Sequence, residues 1–312
     1  MSDAQRQPSW LHRFAVLTAL ATFPLLFVGG LVTSTGSALA VPDWPSTFGY
    51  NMFFYPLSGM VGGILYEHSH RLLGALVGFL TIILTLWLWL KEPRLWLRWL
   101  GSAALAAVIF QGILGGLRVV LLTQSLALIH ACLAQAFFSL LVSIAFFTAP
   151  EKPGNPAERP VEHLRRLRRL CTLTTALIYA QVVFGAILRH TGARLDAHLV
   201  VAAVVVVQVT MLTMYIWRNH VEEDDLVRRP IMLLSGLLIA QLSLGLGAYL
   251  VKYTAMAAIV TPFTRVSLTT IHLAVGSLML ATSLVLTLRT YRLRTASAPI
   301  IVGKLLSEQV SL

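Results

Sequence analysis

The sequence predicts an all-α integral membrane protein of eight transmembrane helices, arranged as two four-helix bundles related by a pseudo-twofold axis. Three observations carry that prediction. The 312 residues are 57% hydrophobic and only 12% charged, where soluble domains are roughly a quarter charged, and the mean hydropathy is +0.77. Eight uncharged apolar runs are long enough to cross a hydrocarbon layer of about 30 Å. Finally, motifs of the first half return in the second in the same order, which marks an internal repeat.

The runs lie at 14–32, 72–90, 99–117, 125–149, 170–188, 197–217, 231–251 and 266–288. The first follows Arg13 and precedes Ala38-Leu39-Ala40, the small-x-small form of a signal-peptide cleavage site. Its length and its counterpart in the second half lead us to expect a retained span. Residues 1–149 then form an N-terminal half and 170–312 a C-terminal half. The proline- and arginine-rich stretch 150–169 reads as a cytoplasmic linker between them. Nothing is left over for a separate soluble domain.

The net charge of +11 is explained by where the cations lie. With the N-terminus in the cytoplasm, that side collects 18 of the 24 Lys and Arg residues. The positive-inside rule therefore places both termini in the cytoplasm. The basic balance reports topology and lipid contact, and no nucleic-acid partner is expected. Cys132 and Cys171 fall near opposite ends of their spans, too far apart for a disulfide.

The repeat aligns GGLVTSTGS (29–37) with GAILRHTGA (185–193), His70 with His198, Gln111 with Gln241 and His130 with His272. Four spans match four. An even number preserves orientation, so the axis would lie along the membrane normal, unlike that of inverted-repeat transporters. The halves differ in their first outer loop: 34 residues separate Gly36 from His70, but only 6 separate Gly192 from His198. The extra segment, VPDWPSTFGYNMFFYP, is expected to cap the outer face of the N-terminal half.

Each even-numbered span carries a histidine near its outer start: His70, His130, His198 and His272. At 1.5 Å per residue they would lie roughly 6 to 9 Å below the boundary. Ionisable side chains in a span are costly and mark function by default. Two imidazoles on facing helices of a four-helix unit can clamp a planar metal centre. A zinc site would want three or four converging ligands. A haem wants one or two axial imidazoles, together with small residues to admit the ring, here Gly29, Gly30, Gly112, Gly115, Gly116, Gly185, Gly245 and Gly247. It also wants cations for the propionates, for which Arg118, Arg189 and Arg265 are candidates. One haem per half is the reading adopted. His68, about 200° around the helix from His70, is not expected to be a ligand, and His190 could orient a propionate.

Only the N-terminal half has an acid three residues before its outer-start histidine, on the same helix face. Glu67 precedes His70 by three residues and shares its helix face, and Arg71 follows. Their counterparts are Leu195 and Leu199. An electron-carrying haem needs no acid, whereas a reacting one uses a carboxylate for proton transfer. Glu67 and Arg71 are also spaced to pair along the helix. A di-haem b-type cytochrome passing electrons between quinone and another carrier would explain the four histidines equally well, but it leaves Glu67 and the long loop without a role. A haem transporter would favour inverted repeats or broken helices.

These motifs resemble the haem A synthase family: the first span ending GGLVTSTGS, Glu67-x-x-His70-Arg71, GILGGLRV at 112–119, IHACLAQ around His130, GAILRHTGA before His198, and TIHLAVG around His272. The resemblance runs from about residue 14 to 288. It implies an enzyme of the bacterial-type cytoplasmic membrane that oxidises a ring methyl of haem O to the formyl group of haem A for cytochrome oxidase, by successive hydroxylations. It implies substrate at His70 and His130 with Glu67 needed for turnover, and a permanent haem b at His198 and His272, with the sites toward the outer face. Arg71, Arg118, Arg189 and Arg265 would contact the haems. Implied partners are haem O synthase and oxidase assembly factors. Many bacterial members carry a cysteine pair in the first outer loop. Residues 33–65 contain none, so a thiol-dependent step is not expected here.

Overall fold

The computed structural model describes residues 10–150, 160–221 and 225–293. Arg6, Lys152, Arg159, Arg294 and Lys304, counted above on the cytoplasmic side, lie outside those residues. The described chain is all-helical, with eight helices long and apolar enough to cross a membrane. They are α1 (Trp10–Ser34), α2 (Gly63–Lys91), α3 (Leu95–Leu121), α4 (Gln124–Thr148), α5 (Val161–Thr191), α6 (Leu195–Arg218), α7 (Asp225–Tyr253) and α8 (Pro262–Thr290). The protein is a multi-pass membrane protein.

All eight predicted runs are helical, and most helices extend beyond them. The largest extension is at the expected linker, where residues 161–169 are the first turns of α5. Leu164 and Leu167 explain this. Three residues apart, both are buried in the core of the second half, so the arginines between them ride on a helix with an anchored apolar stripe. The histidines also stand at different distances from their helix starts. His198 follows Leu195 by three residues and His272 follows Pro262 by ten, because α8 begins well before its apolar run.

Hairpin partners α1–α2, α3–α4, α5–α6 and α7–α8 pack together, while α1, α4, α5 and α8 meet in the middle. Lipid is as apolar as leucine, so association in the membrane rests on close packing and hydrogen bonds rather than on expelling water. The contacts fit. Gly101 of α3 seats the Leu88 side chain of α2, and the Thr85 hydroxyl donates to the Gly101 carbonyl at 3.0 Å. Each half has its own apolar core, with Leu84, Leu88, Leu97, Leu141 and Ile144 in the first and Leu164, Leu212, Ile216 and Leu234 in the second.

The short α5–α6 connection turns through two left-handed residues, Gly192 (φ 69°) and Arg194 (φ 64°). Gly192 ends α5 by donating its N–H to the Leu188 carbonyl, the role for which glycine is favoured. The corresponding α1–α2 connection is the long loop, which includes two short 3-10 turns, Met52–Phe54 and Leu57–Gly59.

Candidate functional site

Each hairpin puts one histidine on its second helix, and each imidazole lies against a glycine of the first. A Cβ at Gly29 would stand 2.9 Å from His70 Cε1, one at Gly115 3.5 Å from His130 Cε1, one at Gly185 3.3 Å from His198 Cε1 and one at Gly245 3.0 Å from His272 Cε1. Glycine here serves close approach, since a larger residue would push the ring aside. In sequence these glycines were visible only as small residues. The structure gives each one a ring.

Within each half the rings come together in pairs. The His70 and His130 centroids are 6.4 Å apart with ring planes at 79°, and those of His198 and His272 are 6.4 Å apart at 70°. An edge-to-face aromatic contact would also fall in that range, roughly 4.5–7 Å. It would, however, leave the Nδ1 atoms of His70, His130 and His272 buried without a partner, at about 1–3 kcal/mol each. Two opposed imidazoles bonded to one metal at about 2.0 Å put their centroids about 6 Å apart, which fits both pairs. Among the described residues no three His, Cys, Asp or Glu side chains are grouped to share a metal ion. The fold offers paired imidazoles.

Glutamines steady the histidine helices. Gln111 donates to the His130 carbonyl at 3.1 Å. Gln181 donates to the His198 carbonyl at 3.1 Å and lies 3.2 Å from its Nδ1. The Gln241 amide nitrogen is 3.3 Å from His272 Nε2. The repeat had aligned Gln111 with Gln241 without giving them work. At the offset that relates Gly29 to Gly185, Gln181 corresponds to Leu25, so the amide beside His198 has no counterpart beside His70.

Glu67 and Arg71 bind the α1–α2 loop to α2. The Val41 N–H donates to Glu67 Oε2 at 3.0 Å, and Arg71 reaches Oε1 at 2.9 Å, with the Glu67 side chain buried and that of Arg71 partly so. The same guanidinium donates to the carbonyls of Asp43, Ser46 and Val41 at 2.7, 3.0 and 3.0 Å. His68 is buried, its Nδ1 3.1 Å from the Thr47 hydroxyl and its ring against Tyr55. Those contacts hold its ring away from the His70–His130 pair. Asp43 closes the loop by accepting from Ser46 Oγ and from the N–H groups of Phe48 and Gly49. Trp44 lies against Gly116 of α3, where a Cβ would run into the indole. None of these loop contacts had a sequence signal beyond aromatic and proline content.

The arginines expected at propionates are held by main-chain oxygens. Arg118 donates to the Ala38 carbonyl and Arg265 to the Ala257 carbonyl. Arg189 donates to the carbonyls of Gly30 and Thr269 and to Ser34 Oγ. A propionate would have to share or displace these partners.

Deeper along α2 the halves diverge again. A Cβ at Gly74 or Gly78, one and two turns past His70, would meet nothing within 4 Å. The matching positions are Ala202 and Val206, the latter packed on the core of its half.

A family model described as cytochrome oxidase assembly protein, COX15-CtaA, matches residues 50–198. Those residues are similar to that family. The match takes in Glu67, His70, Arg71, His130 and His198. Curated relatives agree with it. The chain is 30% identical over 192 residues to "Heme A synthase" of Shouchella clausii, covering 59% of this chain and 61% of the relative. It is 30% identical over 188 residues to "Heme A synthase" of Alkalihalophilus pseudofirmus, with the same coverage, and 28% identical over 200 residues to that of Geobacillus kaustophilus, covering 61% and 59%. The chain thus spans about three-fifths of the length of the curated relatives it matches. The electron-carrying di-haem cytochrome finds no support in this family.

Proposed function

We propose that this protein is a haem A synthase of the bacterial cytoplasmic membrane, with both termini cytoplasmic and its two sites toward the outer face. The observation that carries the reading is the asymmetry between two otherwise matching imidazole pairs. His70 and His130 lie in the half that holds the buried Glu67 and the loop fastened over it, whereas the half of His198 and His272 has Leu195 and Leu199 where the first has Glu67 and Arg71. Chemistry belongs to the first half and a permanent group to the second.

In this reading His70 and His130 hold the substrate haem O, and the open space above Gly74 and Gly78 suits a substrate bulkier than the occupant of the other half. His198 and His272 would hold haem b, which when bound supplies a one-electron carrier. Two successive hydroxylations would take the substrate's ring methyl to an aldehyde hydrate, each replacing one C–H bond by C–OH with oxygen from water and passing two electrons and two protons to an external electron acceptor, and loss of water from the hydrate would leave the formyl group. Glu67 is the residue placed to move protons. To do so it exchanges the Val41 N–H or Arg71 for a substrate-side partner, so proton transfer is tied to the loop. The loop excludes bulk water from the first site, and the glycines under the rings fix where each imidazole stands. Arg71, Arg118, Arg189 and Arg265 are the cations within reach of the outer ends of the sites. Haem O synthase and oxidase assembly factors are the expected partners.

Expression in cells that make haem O, followed by pigment extraction, tests the reading directly. Haem A should appear. Recovery of haem B and unchanged haem O alone would overturn it.

A further inference from the structure

The first turns of α5 hold a cluster of arginines that the proposed activity does not use. Arg165, Arg168 and Arg169 line one end of a groove of about 670 Å³ beside the end of α8, with Tyr291 as its wall and Leu173 and Ala176 at the other end. Positions 165, 168/169, 172/173 and 176 form one stripe by helical spacing. Over the roughly 16 Å between Arg165 and Ala176 that stripe changes from guanidinium to hydrocarbon.

The basic end is partly fixed and partly available. Arg168 is held by the carbonyls of Thr290 and Leu293 at 3.2 and 3.0 Å and lies over the Tyr291 ring at 5.2 Å. Among the described residues Arg165 has only Glu162, at 3.3 Å with both side chains largely exposed, an ion pair of small worth. Arg169 is exposed and makes no hydrogen bond or ion pair among the described residues. Guanidinium forks match phosphate oxygens in pairs. The apolar end lies on a helix long and apolar enough to span, with Leu173 exposed. A free phosphate has no use for that end, and an acyl chain has none for the arginines.

We infer that this groove is a binding site for an anionic phospholipid, its phosphate on Arg165 and Arg169 and an acyl chain along Leu173 and Ala176. The occupant wedges between α5 and the end of α8. Basic pockets between helices on the cytoplasmic side, facing an anionic leaflet, recognise such headgroups.

The test is native mass spectrometry and thermal melting of the full chain in nanodiscs of phosphatidylcholine, with and without phosphatidylglycerol. Wild type should retain phosphatidylglycerol through delipidation and melt higher in its presence. An Arg165→Gln/Arg169→Gln variant should retain it about twenty-fivefold more weakly, at roughly a factor of five for each arginine near a membrane surface. Ala176→Phe, which fills the apolar end and leaves the arginines in place, should also lose retention. Arg228→Gln/Arg229→Gln, at the exposed start of α7, should behave as wild type, and inorganic phosphate alone should not raise the melting temperature. Equal retention by wild type and both groove variants, or full protection by phosphate or phosphatidylcholine alone, would overturn the assignment.

Discussion

Glu67 stands three residues from His70 but spends both carboxylate oxygens on the loop, one on the Val41 N–H and one on Arg71. Its proposed proton-transfer role and its structural role can therefore be separated by substitution. Glu67→Gln keeps a carbonyl for Val41 and loses the charge. It should still bind haem at both sites while haem O or a partly oxidised product accumulates, as read from extracted pigments. Wild-type haem A yield would refute the catalytic role. The glycine under each ring makes a second residue-level claim. With the Gly245 Cβ position 3.0 Å from His272 Cε1, Gly245→Leu should displace the imidazole and at least halve the haem bound per protein, measured spectroscopically. Gly236, with nothing within 4 Å, should tolerate alanine with full haem content.

The α1–α2 loop is the element that distinguishes the halves, and Asp43 sets its shape. Partial burial acts to raise the Asp43 carboxyl. Hydrogen bonds from the Gly49 N–H, the Ser46 hydroxyl and the Phe48 N–H outweigh it and bring the group from 3.8 to about 2. A carboxyl whose folded pKa is depressed contributes stability above its unfolded value, and that contribution is lost as the pH falls through the folded one. The loop should therefore keep its closure above about pH 4 and lose it toward pH 2. Amide protection factors at Phe48 and Gly49 should fall across that window and be low at all pH values in Asp43→Ala. A protection profile in Asp43→Ala matching wild type would show that other contacts close the loop. At this scale the sequence was legible as far as an ordered cap of unusual length. The partners were not legible, because Arg71 spans from α2 to three carbonyls 25 to 30 residues earlier, and no local pattern encodes a side chain bonding to backbone at that distance.

Across the whole molecule, the eight spans and the histidine set were readable because hydropathy and repeat spacing are one-dimensional signals. How the halves meet was not, and Arg189 shows why. Its position near the outer end of α5 suggested a propionate partner. In the fold it donates from α5 to Gly30 and Ser34 of α1 and to Thr269 of α8. Ser34 Oγ, accepting from Arg189, also lies within hydrogen-bond distance of the Thr270 hydroxyl at 2.9 Å and the Thr269 hydroxyl at 3.1 Å. Gly30 adjoins the glycine under His70, and Thr269 lies three residues before His272. One guanidinium therefore ties together the helix segments that carry a ring contact in each half. Charge-assisted bonds of about 1.5–3 kcal/mol each are set against several kcal/mol for desolvating the ion, so Arg189→Met should change stability by no more than about 2 kcal/mol. Geometry has no such compensation. With spin labels at the exposed positions Leu76→Cys on α2 and Leu199→Cys on α6, in a Cys132→Ser/Cys171→Ser background, the inter-label distance distribution should broaden in Arg189→Met and stay narrow with Arg189 intact. An unchanged distribution in the methionine variant would mean that packing of α1 against α8, through Gly30 and Thr270, holds the two sites in register without the arginine.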